Sequence, residues 1–237
     1  MAEPEDFTEI SDLVNPTTST IVLRAGQLVG GRYEIISELG RGGMGIVYRV
    51  KQIYLNQQYA VKILDKRIMS TTAIRRFQQE ARASVSLNHQ SIIKVLDFGM
   101  FDDDTPFLAM ELVVGETLAD RLKRVGPMST NEAARFFIPV CEALAYAHSK
   151  SVVHRDIKPS NIMIVHGAVP GTAGSVKIVD FGIAKVTSFE EGGIQSLTRT
   201  GEVFGSPLYM SPEQCMGQPV DHRADAYSLG CVMFGSI

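Results

Sequence analysis

Two short segments of the chain contain the side chains that are best suited to chemistry. Residues His154 to Asn161 read HRDIKPSN, and the triplet Asp180-Phe181-Gly182 follows further along the chain. The first segment places a carboxylate, a lysine and an asparagine on one short loop, and the second adds a carboxylate downstream. Such a set can accept the proton of a hydroxyl, stabilise a phosphate and hold magnesium, which are the requirements of phosphoryl transfer from ATP.

A glycine cluster lies near the start of the chain. Residues 40–45 read GRGGMG, so Gly40, Gly42 and Gly45 have the G-x-G-x-x-G spacing. Glycines let the backbone turn tightly and approach phosphate oxygens closely. A plain hairpin has the same glycines, and a dinucleotide-binding turn has the same spacing but opens a helix. Residues 46–50, IVYRV, instead predict a strand, which favours a strand-loop-strand unit.

A lysine and a glutamate follow the glycine cluster in the sequence, and they could form an ion pair. Lys62 lies on a predicted third strand within the run AVKI, where it can pair with phosphates or be a solvated strand charge. Glu80 borders the apolar stripe of a predicted helix, although it can also be a surface carboxylate. A glutamate beside a buried face needs a cation, and we therefore predict an ion pair between Glu80 and Lys62.

The elements that position these residues are predicted from periodicity. Strands are expected over 33–39, 46–50, 58–64, 92–99 and 107–113, and a helix over about 72–87, whose apolar stripe consists of Ile74, Phe77, Ala81 and Val85. The motif Ser129-Thr130-Asn131-Glu132 predicts a capped helix that ends near residue 150. Residues 166–175 read as an exposed loop and 183–213 as a long functional loop. The predicted fold class is α+β.

Composition sets broad bounds on the function. The chain has 237 residues, 45% hydrophobic and 21% charged, with a net charge of −3. This balance gives no reason to propose nucleic acid or an anionic membrane as a partner. The three cysteines form no CxxC pair, which favours reduced thiols in a cytoplasmic protein. No signal peptide or membrane-spanning apolar run is visible.

Taken in order, these motifs and a final Ser211-Pro212-Glu213 resemble those of protein kinases, and most closely the bacterial eukaryotic-like (Hanks-type) serine/threonine kinases. The segments GRYEIISELGRGGMGIVYR and GSPLYMSPEQ carry much of the likeness. The resemblance implies a two-lobed kinase domain over 31–237 after a flexible leader, 1–30. The N-lobe, about 31–112, would hold an antiparallel sheet and one main helix, and the C-lobe, about 113–237, would be mostly helical.

The resemblance also implies a role for each motif residue. Asp156 would be the catalytic base and Lys158 would stabilise the transferred phosphoryl group and favour Ser/Thr substrates. Asn161 and Asp180 would hold Mg²⁺, with Mn²⁺ as an alternative, and Arg155 would receive a phosphate from the long loop. The expected ATP-binding residues are Gly40, Gly42, Gly45, Val47, Ala60, Lys62, Glu80, Met110, Glu111, Val113 and Met163. Those that line the adenine pocket can equally be ordinary core residues.

The segment from Asp180 to Glu213 corresponds to an activation segment. Its candidate phosphosites are Ser196, Thr198 and Thr200, which can also be plain polar loop residues. A phosphate adds about −1.5 to −2 charge and could dock on Arg155. Phe181, Gly182 and Ser206 match further positions of the family pattern, and Ser206 stands where threonine is usual.

The end of the chain departs from the family pattern. Asp225 matches the residue that anchors the HRD backbone, but the helices that usually follow are absent, and so is the arginine expected to pair with Glu213. We therefore expect a C-terminally truncated domain with marginal stability and low activity. The expected partners are protein substrates and a second kinase copy for trans-autophosphorylation, and a missing segment could anchor the full-length protein. A nucleotide-binding pseudokinase or scaffold and a small-molecule kinase remain alternatives.

Overall fold

The computed structural model describes residues 23–42, 45–65, 71–101, 104–181 and 207–237. Its first half is an antiparallel sheet of six strands, in the order β1-β2-β3-β4-β6-β5. The strands are β1 (Leu28–Val29), β2 (Tyr33–Gly42), β3 (Gly45–Gln52), β4 (Gln57–Leu64), β5 (Val95–Met100) and β6 (Pro106–Glu111). One helix, α1 (Thr71–Val85), lies between β4 and β5 in the chain. The predicted N-lobe architecture is confirmed.

The strands of this sheet alternate between two apolar clusters, because successive side chains point to opposite faces. On β3, Tyr48 belongs to one cluster and Val47 packs against the other. The cluster on the α1 side contains Phe77 and Ala81 of that helix. Of the predicted stripe, Val85 is exposed and Ser84 is buried instead, so the buried face of α1 shifts in its last turn.

The other face of the sheet is covered by the end of the predicted leader. Leu23 and Val29 pack against its cluster, and the backbone N–H of Leu23 donates to the buried Tyr48 hydroxyl at 3.1 Å. Residues 23–30 therefore join the lobe, which corrects the prediction of a flexible leader for this part. Residues 1–22 lie outside the described ranges.

The second half is built on helices and a small sheet. The helices are α2 (Leu118–Val125), α3 (Thr130–Ser149), α4 (Pro212–Cys215) and α5 (Arg223–Phe234), and the antiparallel strands β7 (Gly115–Thr117), β8 (Ile162–Val165) and β9 (Val176–Ile178) form the sheet. Ser129 caps α3 and accepts a hydrogen bond from the backbone of Glu132, as the capping motif predicted. No helix in the described ranges is long and apolar enough to cross a membrane.

One predicted strand is wrong in its first part. Residues 92–99 were expected as one strand, but β5 begins at Val95. The preceding residues pair with β9 instead: Ile93 N–H donates to Ile178 O, and Ile178 N–H donates to Ser91 O, both at 2.9 Å. This pairing ties the segment before β5 to the strand that leads into Asp180.

Candidate active site

Residues 154–158 of the HRDIKPSN loop have no regular structure, Pro159–Asn161 form a single 3-10 turn, and the backbone of the loop is held from outside. Asp225, fully buried on α5, accepts hydrogen bonds from the backbone N–H groups of His154 at 2.8 Å and Arg155 at 2.7 Å. Its Oδ2 also contacts His148 Nε2 at 2.8 Å. The anchoring contact predicted for Asp225 is thus present, whereas sequence reasoning missed His148, which lies in the last turn of α3.

His154 links this loop to the strand before Asp180. Its Nε2–H donates to the Val179 carbonyl at 2.9 Å, and its Nδ1 accepts from the Asp156 N–H at 3.2 Å. Burial lowers the pKa of this imidazole below its ordinary value, despite the nearby carboxylates. The two contacts require a neutral ring with its proton on Nε2. The Phe181 ring lies against it, with centroids 4.6 Å apart.

Asp156 is surrounded by hydrogen-bond donors. Its Oδ2 accepts from Lys158 Nζ at 2.8 Å and from Asn161 Nδ2 at 3.0 Å. Asn161 Nδ2 also donates to the backbone carbonyl of Asp156 at 2.8 Å. Because the amide nitrogen of Asn161 faces Asp156, its oxygen remains as an acceptor for another group. The structure thus brings together three residues that the sequence predicted as one functional set.

Lys62, on β4, contacts the carboxylate of Asp180. Its Nζ lies 2.8 Å from Asp180 Oδ1. Burial raises the pKa of Asp180, but the charge and hydrogen bond of Lys62 outweigh this effect, and the pKa lies below its ordinary value. Asp180 also has a left-handed backbone, with φ 59°. Such a conformation is uncommon outside glycine and often marks functional positions.

The predicted ion pair between Lys62 and Glu80 is replaced by two other pairs. Lys62 contacts Asp180, and Glu80 Oε1 lies 3.2 Å from Arg155 Nη1. Each of the two cations has a carboxylate close to it. Asp180 lies beside Lys62, and the HRD loop places Arg155 next to Glu80 on α1. Glu80 still borders the buried face of α1, as predicted.

The glycines of the β2–β3 hairpin differ in their surroundings. A Cβ atom on Gly40 or Gly42 would meet nothing within 4 Å. A Cβ on Gly45, where φ is 150°, would lie 2.0 Å from the carbonyl oxygen of Ile63. Gly45 is therefore needed for close packing of β3 on β4, whereas the other two leave open space in which a phosphate could lie.

Most of the residues predicted to line an adenine pocket share one cluster. Ala60 and Met110 are buried in it, and Val47 and Val113 pack against it. Met163 lies on β8, opposite Lys177. Behind Met110 is a small cleft that Asp180 and Phe181 also line.

The side chain of Glu111 makes contacts that the sequence did not predict. Its Oε1 accepts from Lys177 Nζ at 2.6 Å and from the Lys94 N–H at 2.8 Å. Its backbone N–H donates to the Lys94 carbonyl at 3.0 Å. Because Lys177 lies on β9, this carboxylate connects the six-stranded sheet to the smaller one.

The segment after the long loop also contacts the HRD loop. Gln214, on α4, donates from Nε2 to the Arg155 carbonyl at 2.8 Å. Sequence reasoning missed this residue, although its S-x-x-Q spacing from Ser211 is a capping signal. Glu213, on the same helix, is partly buried and forms no ion pair with another described residue. Gly182, Ser196, Thr198, Thr200 and Ser206 lie outside the described residues.

The donor set fits a divalent cation with oxygen ligands. An amide oxygen of Asn161 and the carboxylate of Asp180 are ligand types that Mg²⁺ prefers, together with phosphate oxygens. No group of three or more His, Cys, Asp or Glu side chains comes together in the described part of the chain. A cation held by these two residues would take its remaining ligands from phosphate oxygens or water.

Comparison with known proteins agrees with this geometry. The family model described as protein kinase domain matches residues 33–237. The chain is 40% identical over 210 residues to serine/threonine-protein kinase pkn3 of Myxococcus xanthus, covering 88% of this chain and 38% of that protein. It is 39% identical to PrkC of Bacillus subtilis, covering 88% of this chain and 31% of the relative.

Solved structures give the same result for the fold. The kinase domain of PknI from Mycobacterium tuberculosis superposes with a TM-score of 0.72 at 27% identity, covering 91% of this chain and 75% of that one. The chain spans about a third of the length of the curated relatives it matches. By its sequence match, fold and ordered motifs, the chain belongs to the protein kinase domain family, within the bacterial Hanks-type serine/threonine kinases.

Proposed function

We propose that the protein transfers the γ-phosphate of ATP to serine or threonine hydroxyls of other proteins. The observation that carries this proposal is the carboxylate of Asp156, whose Oδ2 is held by Lys158 and Asn161 at 2.8 and 3.0 Å. A carboxylate fixed in this way can accept the proton of an attacking hydroxyl. The names of the relatives support the same activity.

Each side chain has a defined part in this proposal. Asp156 orients the substrate hydroxyl and takes its proton, while Lys158 stabilises the transferred phosphoryl group. Lys62 would exchange its contact with Asp180 for the phosphates, and Asn161 and Asp180 would hold the metal. A bound magnesium ion would neutralise the charge on the phosphates.

The residues proposed for the adenine end are apolar and would bind the ring by packing. We propose that Val47, Ala60 and Met163 flank the ring, that Met110 borders the pocket, and that backbone groups of Glu111 and Val113 bind its edge. Gly40 and Gly42 would lie over the phosphates. A Cβ atom added at either position would have no neighbouring atom within 4 Å.

A transfer assay tests the main proposal. We expect the 237-residue chain with labelled ATP and Mg²⁺ to phosphorylate serine or threonine in a generic protein substrate. Asp156→Asn should abolish transfer while nucleotide binding persists, because the amide cannot accept the proton. A panel of small metabolites should remain unlabelled. Binding of ATP by the parent chain without transfer would instead favour the nucleotide-binding scaffold.

We further propose autophosphorylation at Ser196, Thr198 or Thr200, between two copies of the domain in the cytoplasm. Arg155, which holds Glu80 at 3.2 Å, would be the receptor of the new phosphate. A phosphate would compete with Glu80 for the guanidinium. Mass spectrometry after incubation with ATP and Mg²⁺ should find phosphate in residues 182–206. Its absence from an active chain would contradict this part of the proposal.

A further inference from the structure

The peptide unit between Arg155 and Asp156 is held on both of its edges. Its carbonyl oxygen accepts from Gln214 Nε2 at 2.8 Å, and its N–H donates to His154 Nδ1 at 3.2 Å. Arg155 itself has φ 65°, a left-handed conformation that is strained for a long side chain. The peptide unit that carries the Asp156 side chain therefore depends on outside contacts to keep its orientation.

The amide of Gln214 has one possible orientation. Gln214 is 3% exposed, and its Oε1 accepts from the Ser211 N–H at 3.1 Å. Because an N–H requires an acceptor and a carbonyl requires a donor, Nε2 must face the Arg155 carbonyl. The backbone N–H of Gln214 donates to Ser211 Oγ at 3.4 Å, which completes a capping box. Its side chain is thus fixed by the helix on which it lies.

We propose that Gln214 is a positioning residue for phosphoryl transfer, which holds the Arg155 carbonyl and thereby orients the Asp156 carboxylate. The inference rests on the proposed function and adds a residue that acts through Asp156 without touching substrate. It also gives α4 a role, since this short helix follows the long loop and connects it to the HRD backbone. The orientation of Asp156 then depends on α4 being formed.

The variant Gln214→Glu isolates the donated hydrogen bond. It keeps the size of the side chain and an acceptor for the Ser211 N–H, but above its pKa it has no proton to donate to the carbonyl. We expect kcat to fall by about tenfold to a hundredfold at neutral pH, since small misplacements of catalytic groups have effects of this size. KM for ATP should stay within about twofold, because in the described part of the chain the side chain of Gln214 hydrogen-bonds to Ser211 and Arg155, neither of which is assigned to the nucleotide.

The pH profile separates positioning from a general structural defect. Burial beside a carbonyl should raise the pKa of the new carboxyl above its ordinary value near 4.3. Once protonated, this carboxyl can donate again, so the ratio of variant to parent kcat should rise as the pH is lowered. Gln214→Leu, which has no donor at any pH, should show a low and constant ratio. A constant ratio for Gln214→Glu as well would overturn the proposal.

Hydrogen exchange provides a readout that does not need activity. In both Gln214 variants the amides of Arg155 and Asp156 should exchange about tenfold faster than in the parent chain. Cys215→Ser is the matched control, because it changes an exposed side chain of α4 and leaves both the cap and Gln214 in place, and it should leave these amides protected. Unchanged exchange in the Gln214 variants, or equally fast exchange in Cys215→Ser, would overturn the proposal. An inactive parent chain would contradict the proposed function, and the exchange result would then decide the role of Gln214 in holding the loop.

Discussion

The imidazole of His154 is buried and neutral, and this makes the stability of the protein sensitive to pH. Its folded pKa lies below the ordinary value of 6.5. As the pH falls through about 6.5, the unfolded chain binds a proton that the folded chain does not. The free energy of unfolding should therefore decrease between about pH 6.5 and the lower folded pKa.

Urea titrations across that window check this prediction. We expect His154→Asn, which keeps a donor and an acceptor, to have a flatter pH dependence than the parent chain. If the free energy of unfolding of His154→Asn depends on pH as steeply as that of the parent chain, other groups cause the dependence.

Lys62 is expected to be essential to transfer, because its ammonium lies 2.8 Å from Asp180 Oδ1 and is the group proposed to bind the phosphates. Lys62→Met should reduce kcat by about a hundredfold or more, as the removal of one charged group from a developing negative charge commonly does. Lys62→Arg should recover only part of the loss, because a guanidinium differs in shape from an ammonium. Steady-state kinetics would check both, and full activity in Lys62→Met would remove this residue from the site.

At the scale of elements, two substitutions in the β2–β3 hairpin should distinguish a glycine that is needed for packing from a glycine that is proposed to bind phosphate. Gly45→Ala should lower the free energy of unfolding by about 3 kcal/mol, because its Cβ would lie 2.0 Å from the Ile63 carbonyl and its φ is 150°. Gly40→Ala should change stability by less than about 0.5 kcal/mol. Under the proposed function it should instead weaken ATP binding.

Denaturant unfolding and calorimetric ATP titration would measure the two effects separately. The matched pair is informative because both changes add one methyl group to the same hairpin. If Gly40→Ala destabilises the chain as much as Gly45→Ala does, the space beside Gly40 is not open to an added methyl group.

At the scale of the whole molecule, Glu111 and Lys177 connect the two sheets. The pair is partly buried, with side-chain exposures of 31% and 17%, and its atoms lie 2.6 Å apart. We expect a coupling free energy of about 1 kcal/mol between Glu111→Gln and Lys177→Met in a double-mutant cycle of unfolding. Arg41 with Glu38, a more exposed pair within one hairpin, should give a smaller value. A coupling near zero for both pairs would show that this link contributes nothing to the assembly of the lobes.

The parts of the fold that could be predicted are those that depend on residues close together in the sequence. The strand patterns, the apolar stripe of α1 and the Ser129 cap depend on nearby residues, and most were placed within a few positions. The partner of Glu80 could not be predicted, because Arg155 comes from a distant loop whose path the sequence does not reveal. For the same reason Gln214 was missed: its capping motif is local, but its contact with the HRD backbone is not.

The three hydrogen bonds of Asp225 have a consequence for protein engineering. The octapeptide 154–161 supplies the side chains of a phosphotransfer site, yet the partners of its backbone lie far away, with Asp225 71 residues from His154 and Gln214 59 residues from Arg155. A graft of the octapeptide alone onto another scaffold would carry the reactive groups without the supports that shape them. The smallest portable unit is the loop together with a fully buried acid on one helix and an amide on another.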